Sequence, residues 1–171
     1  VYKLYDKSVF ELDKRVKVKY LTKIKPNKKK FYEYLKKKKI FKTLKEGIKG
    51  IKGLYIRKNS TINYIENTNS DIIISTRDIF DEWLGQFGKE GVLKIGWEHN
   101  HYHDDMGYAN EIVRATSKLD YLVLVSESLK EFYSKKLVNT NCKCIYIPNI
   151  LDNMPKKMST LTEKRLVSVG R

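Results

Sequence analysis

From about residue 70 onward, the chain alternates short apolar segments with longer amphipathic ones. Apolar segments that predict strands lie at residues 71–75, 91–99, 120–126, 142–149 and 164–170, and segments with helical periodicity lie among them at 77–88, 108–119 and 127–138. Continuously apolar strands such as 71–75 and 120–126 are typical of a sheet that is covered on both faces. Strands that alternate with helices of about a dozen residues predict βαβ units and therefore a parallel sheet. We expect an α/β fold, with a Rossmann-like parallel sheet and helices on both faces.

The carboxyl ends of parallel strands meet at one edge of the sheet, where open α/β folds keep their binding crevice. The segment "EHNHYHDD" (residues 98–105) follows one predicted strand and holds all three histidines of the chain. Ser126 ends the next predicted strand, and Arg77 follows an earlier one. We therefore expect these residues to share one edge. Ser126 can contact a substrate there, and it is also placed to cap the helix predicted at 127–138.

The histidines at positions 99, 101 and 103 raise the question of a metal site, because neutral imidazoles are good zinc ligands. The segment comes close to the His-x-His-x-Asp-His motif of the metallo-β-lactamase fold, but its last two residues stand in the reverse order. The chain has no histidine beyond His103 to complete such a site. It also has no Gly-x-Ser-x-Gly turn and no Walker A loop. We expect no metal at this cluster, and we expect Cys142 and Cys144, too few for a zinc framework, to be reduced.

The first 69 residues follow a different pattern. Residues 15–21, "RVKVKYL", alternate charged with apolar side chains and predict a strand with one buried face. A helical stretch begins at about Pro26, in which apolar residues recur at roughly the helical period: Phe31, Leu35, Phe41, Leu44, Ile48 and Ile51. Glycine then occupies every third position of "GIKGIKG" (residues 47–53). Because each glycine costs a helix about 1 kcal/mol relative to alanine, we expect the helix to break or end there.

The positive charge of the chain is concentrated in this first third. Residues 1–58 carry 21 lysines and arginines against 5 acidic residues, whereas residues 59–171 carry 14 against 15. The formal net charge of +15 therefore comes from one region, and such a one-sided field attracts polyanions. Nearly all of these basic residues are lysines, which favour unspecific attraction over the bidentate reading of bases. Three interpretations stay open: a contact with an anionic membrane through Lys28–Lys39, a site for nucleic acid or another polyanion, and a solvated helix face.

Five segments, in order, resemble the first half of a family 4 glycosyltransferase of the GT-B fold. They read "DIIISTRDIF", "IGWEHNHYH", "DYLVLVSESLKEFY", "CIYIPNILDNMP" and "LVSVGR". Members of that family have a strand that ends in Glu-His-Asn, a strand that ends in Val-Ser before a helix, an Ile-Pro-Asn linker, and a strand that ends in Gly-Arg. The resemblance covers about residues 70–171, and the preceding residues match the family in outline only.

The resemblance implies two Rossmann-like domains that face each other across a cleft, the first for the acceptor and the second for a nucleotide-sugar donor. Residues 1–150 would form the acceptor domain, and residues 151–171 would form the linker and the first strand of the donor domain. His99 matches the active-site histidine that hydrogen-bonds the donor sugar. Asn100 lies beside it on the same loop. Arg171 matches the ligand of the donor diphosphate, whose growing charge a guanidinium can offset.

The implied reaction moves a hexose-type sugar to a glycan or lipid-linked acceptor in bacterial surface polysaccharide synthesis, with retention of configuration and without a metal or other cofactor. Asn100, Ser126 and Arg77 are candidate substrate contacts, whereas His101 and His103 match no family role. The expected location is the cytoplasm, with peripheral contact to the inner face of the membrane and no specific nucleic acid partner. These 171 residues would lack the donor half and the first strand of the acceptor sheet, so we expect no sugar transfer by them alone. The alternative is a non-enzymatic α/β module that binds nucleic acid or another polyanion through its basic first third.

Overall fold

The computed structural model describes residues 12–22, 24, 27–150 and 162. Their helices and strands follow the order α1 (Lys28–Lys36), α2 (Ile40–Asn67), β1 (Ile72–Ser75), α3 (Asp78–Phe87), β2 (Leu93–Glu98), α4 (Met106–Thr116), β3 (Tyr121–Leu124), α5 (Glu127–Lys136) and β4 (Lys143–Tyr146). Within this described part of the chain, no helix is both long and apolar enough to cross a bilayer. The linker and the strand expected at 151–171, together with Arg171, lie outside the described residues except for Thr162.

The four strands form one parallel sheet in the order β1-β2-β3-β4. Each strand pairs with the next one along the chain: Ile72 lies opposite Leu93, Ile95 opposite Tyr121, and Tyr121 opposite Lys143. α3, α4 and α5 each connect one strand to the next, as a parallel sheet requires. The predicted α/β class, a Rossmann-like parallel sheet flanked by helices, is therefore confirmed. The strands and helices predicted between residues 70 and 150 are all observed, with bounds within three residues of those expected.

The core lies between the sheet and its connecting helices, with β3 at its centre. Leu122, Val123 and Leu124 are all buried, as predicted for a strand that is covered on both faces. Ile112 of α4 and Tyr133 of α5 pack in the same apolar cluster. Burial of such side chains is the main favourable contribution to folding, at roughly 25 cal/mol per Å² of apolar surface.

β1 does not match the expectation of a strand that is covered on both faces. Ile73 packs against the core cluster, whereas Ile72 and Ile74 are each 52% exposed. Successive side chains of a strand point to opposite faces, so only one face of β1 is covered by the core. The apolar sequence predicted the strand correctly, but it overestimated how much of it is buried.

α1 and α2 form a helical hairpin, which reverses at Lys38 and not at the glycines. Lys38 has a φ of 51°, in the left-handed region, and lies between the end of α1 and the start of α2 at Ile40. α2 then continues without interruption through residues 47–53 to Asn67. The prediction of a break at "GIKGIKG" is therefore wrong.

The segments that precede α2 instead pack against its glycines. A Cβ atom at Gly47 would lie 3.5 Å from the ring of Phe31, and a Cβ atom at Gly53 would lie 3.2 Å from Cγ2 of Ile24. At Gly53 the absence of a side chain lets the segment before α1 approach closely, whereas the contact at Gly47 would be an ordinary one. This packing offsets the low helix propensity of glycine, because tertiary contacts routinely override propensity.

Residues 15–21 do not form the predicted strand. Their backbone is irregular, strand-type pairing in this segment is limited to a bridge at Thr22, and Val16, Val18 and Tyr20 are about half exposed. A strand becomes stable only where a neighbouring strand satisfies its backbone and a core covers one face. The alternating pattern therefore predicted a strand wrongly, because the described residues supply no sheet for this segment to join.

Candidate functional site at the carboxyl edge of the sheet

The predicted site residues lie at one edge of the sheet. Arg77 follows β1, His99 and Asn100 follow β2, and Ser126 follows β3. Glu98, the last residue of β2, lies opposite Leu124, the last residue of β3. The segments that carry the histidine and the serine therefore leave the sheet side by side, about one strand spacing of 4.8 Å apart. The predicted placement at a shared edge is confirmed, and the roles of these residues stay predictions. We call residues 75–77, 98–105 and 125–126 the carboxyl-edge site.

His99 is exposed to solvent, and its ring is held by a stacking contact. The ring lies parallel to that of Trp97, with an interplanar angle of 4° and 5.7 Å between centroids. The two residues are two positions apart at the end of a strand, so their side chains leave the chain on the same face. Aromatic contacts of this kind restrict the orientation of a ring. His99 is therefore oriented before a ligand arrives, and it can form a hydrogen bond with one.

Glu98 is buried directly behind His99 and ties the loop to α4. Its Oε1 accepts the backbone N–H of Asn100 at 2.6 Å, and its Oε2 accepts the hydroxyl of Tyr108 at 3.0 Å. The side-chain amide of Asn100 lies 3.5 Å from the same hydroxyl. Burial, together with the negative charge of Glu98, raises the pKa of Tyr108, so this hydroxyl stays a protonated donor. The network fixes the direction in which the chain leaves β2.

Asp81 of α3 is a second buried carboxyl beneath the same edge, and it is only 3% exposed. It lies directly on β2, because a Cβ atom at Gly96 would be 3.1 Å from its Oδ1. Burial raises the pKa of Asp81 to about 7, the charges of Glu98 and Asp78 add to the shift, and the hydroxyl of Ser75 opposes it. Its Oδ1 has no hydrogen-bond partner among the described residues, which suits a carboxyl that holds a proton. A carboxyl with such a pKa can gain or lose a proton near neutral pH.

The loop after β2 is a turn that its own side chains build. His103 and Asp104 have φ values of 47° and 61°, in the left-handed region that residues other than glycine rarely adopt. The backbone N–H of His103 donates to Nδ1 of His101 at 3.0 Å. Asp105 caps α4, since its Oδ1 accepts the backbone N–H of Tyr108 at 3.0 Å. The two histidines without a predicted role thus take part in the structure of the turn.

Aromatic stacking joins this turn to α5. The ring of His101 stacks on Tyr102 at 4.9 Å, and Tyr102 stacks on Phe132 at 4.2 Å with an interplanar angle of 9°.

Within the described ranges, no group of three or more His, Cys, Asp or Glu side chains is placed to hold a metal ion. Cys142 and Cys144 are both free thiols, and burial raises the pKa of Cys142 to about 12.

Ser126 and Arg77 each stand at the start of a helix. The Oγ of Ser126 accepts the backbone N–H of Leu129 at 3.3 Å, so the predicted capping role in α5 is confirmed. Arg77 precedes α3, is exposed, and makes no side-chain cap. Together with Arg57 of α2, it lines a cleft of about 450 Å³ beside β1. Two arginines in one cleft favour an anionic group, because guanidinium binds carboxylate and phosphate well.

The sequence did not reveal Glu98, Asp81 or Tyr108 as parts of the site. Glu98 offered a signal, since it is a charged residue at the end of an otherwise apolar strand. Asp81 and Tyr108 lie on two different helices, and their proximity to Glu98 depends on how those helices pack. Only the folded structure brings the three together.

The fold and the position of the site define the molecule as a Rossmann-like α/β protein with a group of polar residues at the carboxyl edge of its sheet. No model of a protein family, no curated protein and no solved structure matches the chain. The resemblance to family 4 glycosyltransferases is therefore a prediction from the residues of this chain alone.

Proposed function

We propose that this chain forms the acceptor-side domain of a glycosyltransferase, which moves a sugar from a nucleotide-sugar donor to a glycan or lipid-linked acceptor of the bacterial cell surface. The observation that carries the proposal is the setting of His99. Its ring is open to solvent, is stacked on Trp97, and follows a strand end that Glu98 anchors to α4. The order of motifs that resemble the glycosyltransferase family supports the same assignment.

In this proposal, His99 supplies a hydrogen bond to the sugar close to the bond that breaks. A polar group contributes most to catalysis when it is oriented before the substrate binds, because no reorganisation is then needed during the reaction. Trp97 and Glu98 serve this purpose as positioning residues. Asn100 and Ser126, on the adjoining strand ends, would contact the substrate.

The cleft beside β1 would receive the anionic part of the acceptor. Arg77 and Arg57 both line it, and an acceptor that carries phosphate or carboxylate would form charge-assisted hydrogen bonds with them. Arg171 would hold the donor diphosphate from the second domain. We further propose retention of configuration, independence from metal ions, and a cytoplasmic location, for which the resemblance is the support.

The test compares histidines of the same loop. The longest natural chain that contains these residues is incubated with a panel of sugar nucleotides in excess EDTA, and release of nucleoside diphosphate is followed for wild type, His99→Ala and His101→Ala. We expect release in EDTA, a loss of about 100-fold or more in kcat for His99→Ala, in the range seen for removal of a preorganised hydrogen-bond donor, and a much smaller change for His101→Ala. Circular dichroism checks that both variants remain folded.

Three outcomes would contradict the proposal. Equal losses in the two variants would mean that the loop as a whole matters and not His99. Release that stops in EDTA would point to a metal-dependent reaction. No release from any donor, with candidate acceptors present, would favour the alternative of a polyanion-binding module, which the concentration of lysine in the first third supports.

A further inference from the structure

The first part of α2 carries a stripe of large apolar side chains that no described element covers. At 100° per residue, its members fall within an arc of about 140°: Ile40, Phe41, Leu44, Ile48, Ile51, Leu54 and Tyr55. Phe41 is 89% exposed and Ile51 is 71% exposed. We call these seven residues the α2 stripe. A contiguous apolar surface of this kind marks an interaction site.

Lysines border the α2 stripe. Lys42, Lys45 and Lys52 are exposed and fall within about 100° of the helix circumference beyond one edge of the stripe. The connection between α1 and α2 adds the run 36–39, which is four consecutive lysines. The stripe is therefore the apolar face of a strongly basic helix, and this composition is typical of helices that lie in a membrane interface.

The two acidic residues of this part of the chain, Glu33 and Glu46, each offset one lysine, and the remaining lysines keep the field positive. Glu33 forms an ion pair with Lys37, with 2.8 Å between Oε1 and Nζ. Glu46 is buried, where it accepts hydrogen bonds from Asn27 at 2.8 Å and from Lys49 at 3.0 Å. Both carboxylates are thus engaged within the hairpin, and the surface presented to a partner remains positive.

We propose that the α2 stripe docks on an anionic lipid bilayer. The helix lies in the plane of the interface, the stripe enters the boundary between headgroups and acyl chains, and the bordering lysines contact lipid phosphates. The 16 residues from Ile40 to Tyr55 would cover about 24 Å of membrane surface. This inference rests on the hairpin and not on the carboxyl-edge site, so it does not depend on the proposed sugar transfer.

Two other occupants fit the surface less well. A second copy of the chain would bring two positively charged faces together, which like-charge repulsion opposes. Nucleic acid would use the lysines but not the stripe, because proteins that grip single strands stack bases on aromatic rings, and the stripe is mainly aliphatic. An anionic bilayer offers negative headgroups to the lysines and acyl chains to the α2 stripe.

The test measures binding of the 171-residue chain to vesicles of phosphatidylcholine with about 30% phosphatidylglycerol, by co-sedimentation. The stripe variant is Phe41→Ser combined with Ile51→Ser. Its matched control is Val138→Ser, which removes an apolar side chain that is 73% exposed just beyond the end of α5. We expect the stripe variant to bind at least 100-fold more weakly, since each side chain contributes about tenfold or more through burial. We expect Val138→Ser to bind like wild type.

A second variant separates charge from insertion. Lys42→Gln, Lys45→Gln and Lys52→Gln together should weaken binding by about 100-fold, or roughly fivefold for each lysine near an anionic surface. Insertion is read directly with Phe41→Trp, whose fluorescence should shift to the blue with vesicles and be quenched by brominated acyl chains. Val138→Trp should show neither change.

The proposal would be overturned if the stripe variant still bound anionic vesicles, if wild type bound pure phosphatidylcholine equally well, or if bromine did not quench the fluorescence of the Phe41→Trp variant. A stable dimer in sedimentation that is lost in the stripe variant would overturn it in favour of a second copy of the chain. A higher affinity for RNA than for vesicles, unchanged in the stripe variant, would overturn it in favour of nucleic acid. Circular dichroism of each variant shows whether α2 is intact.

Discussion

The helical hairpin and the α/β unit are built from the same kinds of amphipathic helix, but they differ in how their apolar faces are covered. α1 contains no buried residue, and in the first part of α2 the apolar face is exposed. α4, by contrast, buries Ala109, Ile112 and Ala115 within the core. At its other end α2 behaves like α4, since Ile65 is buried against that core. The comparison shows that helical periodicity predicts a helix and the face it would cover, but not whether anything covers it.

Each region also has a buried carboxyl, and the two titrate in opposite directions. Burial raises the pKa of Asp81 to about 7, and the charges of Glu98 and Asp78 add to the shift. Hydrogen bonds from Asn27 and Lys49 lower the pKa of Glu46. Desolvation therefore dominates at Asp81, whereas hydrogen bonds from neighbouring donors dominate at Glu46.

The largest expected effect is the pH dependence of stability that Asp81 causes. The pKa of Asp81 is near 4 in the unfolded chain and about 7 in the folded one, so the folded state binds the proton more tightly in between. Stability should then fall as the pH rises from 4 to 7, by an amount on the order of 4 kcal/mol. Asp81→Asn should remove this dependence and be more stable than wild type at pH 8, but not at pH 4, in urea unfolding.

Glu46→Gln tests the carboxyl whose pKa is lowered. The carboxylate of Glu46 stabilises the fold above the pKa that it has in the unfolded chain. This contribution is lost as the pH falls through the lowered pKa of the folded state. Glu46→Gln should therefore be less stable than wild type at neutral pH and equal to it in acid. Glu131→Gln, on the exposed face of α5, serves as the control and should change stability by no more than about 0.5 kcal/mol. If the stability difference from wild type changed with pH in the same direction for Asp81→Asn and Glu46→Gln, the contrast between the two carboxyls would be contradicted.

Two leucine-to-alanine substitutions test directly whether the apolar side chains of the α/β unit and of the hairpin differ in burial. Leu122 of β3 is fully buried, whereas Leu44 of α2 is 62% exposed. Leu122→Ala should lower the free energy of unfolding by about 3 kcal/mol, because it removes apolar contacts and leaves a cavity. Leu44→Ala should change it by no more than about 0.5 kcal/mol. Comparable losses in urea unfolding would show that the hairpin face is covered after all.

A smaller difference is expected for glycine. A Cβ atom at Gly96 of β2 would lie 3.0 Å from Leu119 Cδ1 and 3.1 Å from Asp81 Oδ1, so Gly96→Ala should cost about 1 to 3 kcal/mol through overpacking. At Gly47 the nearest atom would be at 3.5 Å, an ordinary contact. Gly47→Ala should therefore stabilise the chain by about 0.5 to 1 kcal/mol through higher helix propensity. A loss at Gly47 in thermal unfolding would mean that the hairpin packs more tightly than described.

The sequence predicted the α/β unit well because its signals are local. Gly88 ends α3 and Ser126 caps α5 as expected, and the apolar strands are found near their predicted positions. The hairpin was predicted less well, since its turn lies at Lys38 and its glycines serve a contact between segments. At the site, the shared edge followed from the topology of parallel strands. The carboxyl network did not, because it depends on the packing of α3 and α4 against β2.

The strand order has a consequence for how the protein folds. Paired positions are separated by 21 residues for Ile72 and Leu93, 26 for Ile95 and Tyr121, and 22 for Tyr121 and Lys143. Loop-closure entropy grows only with the logarithm of this separation, so the three pairings carry nearly equal costs. The sheet can thus grow by one strand and one helix at a time, in the order in which the ribosome delivers them. No step has to wait for a distant part of the sheet, and co-translational assembly of this unit needs only the segment that has just emerged.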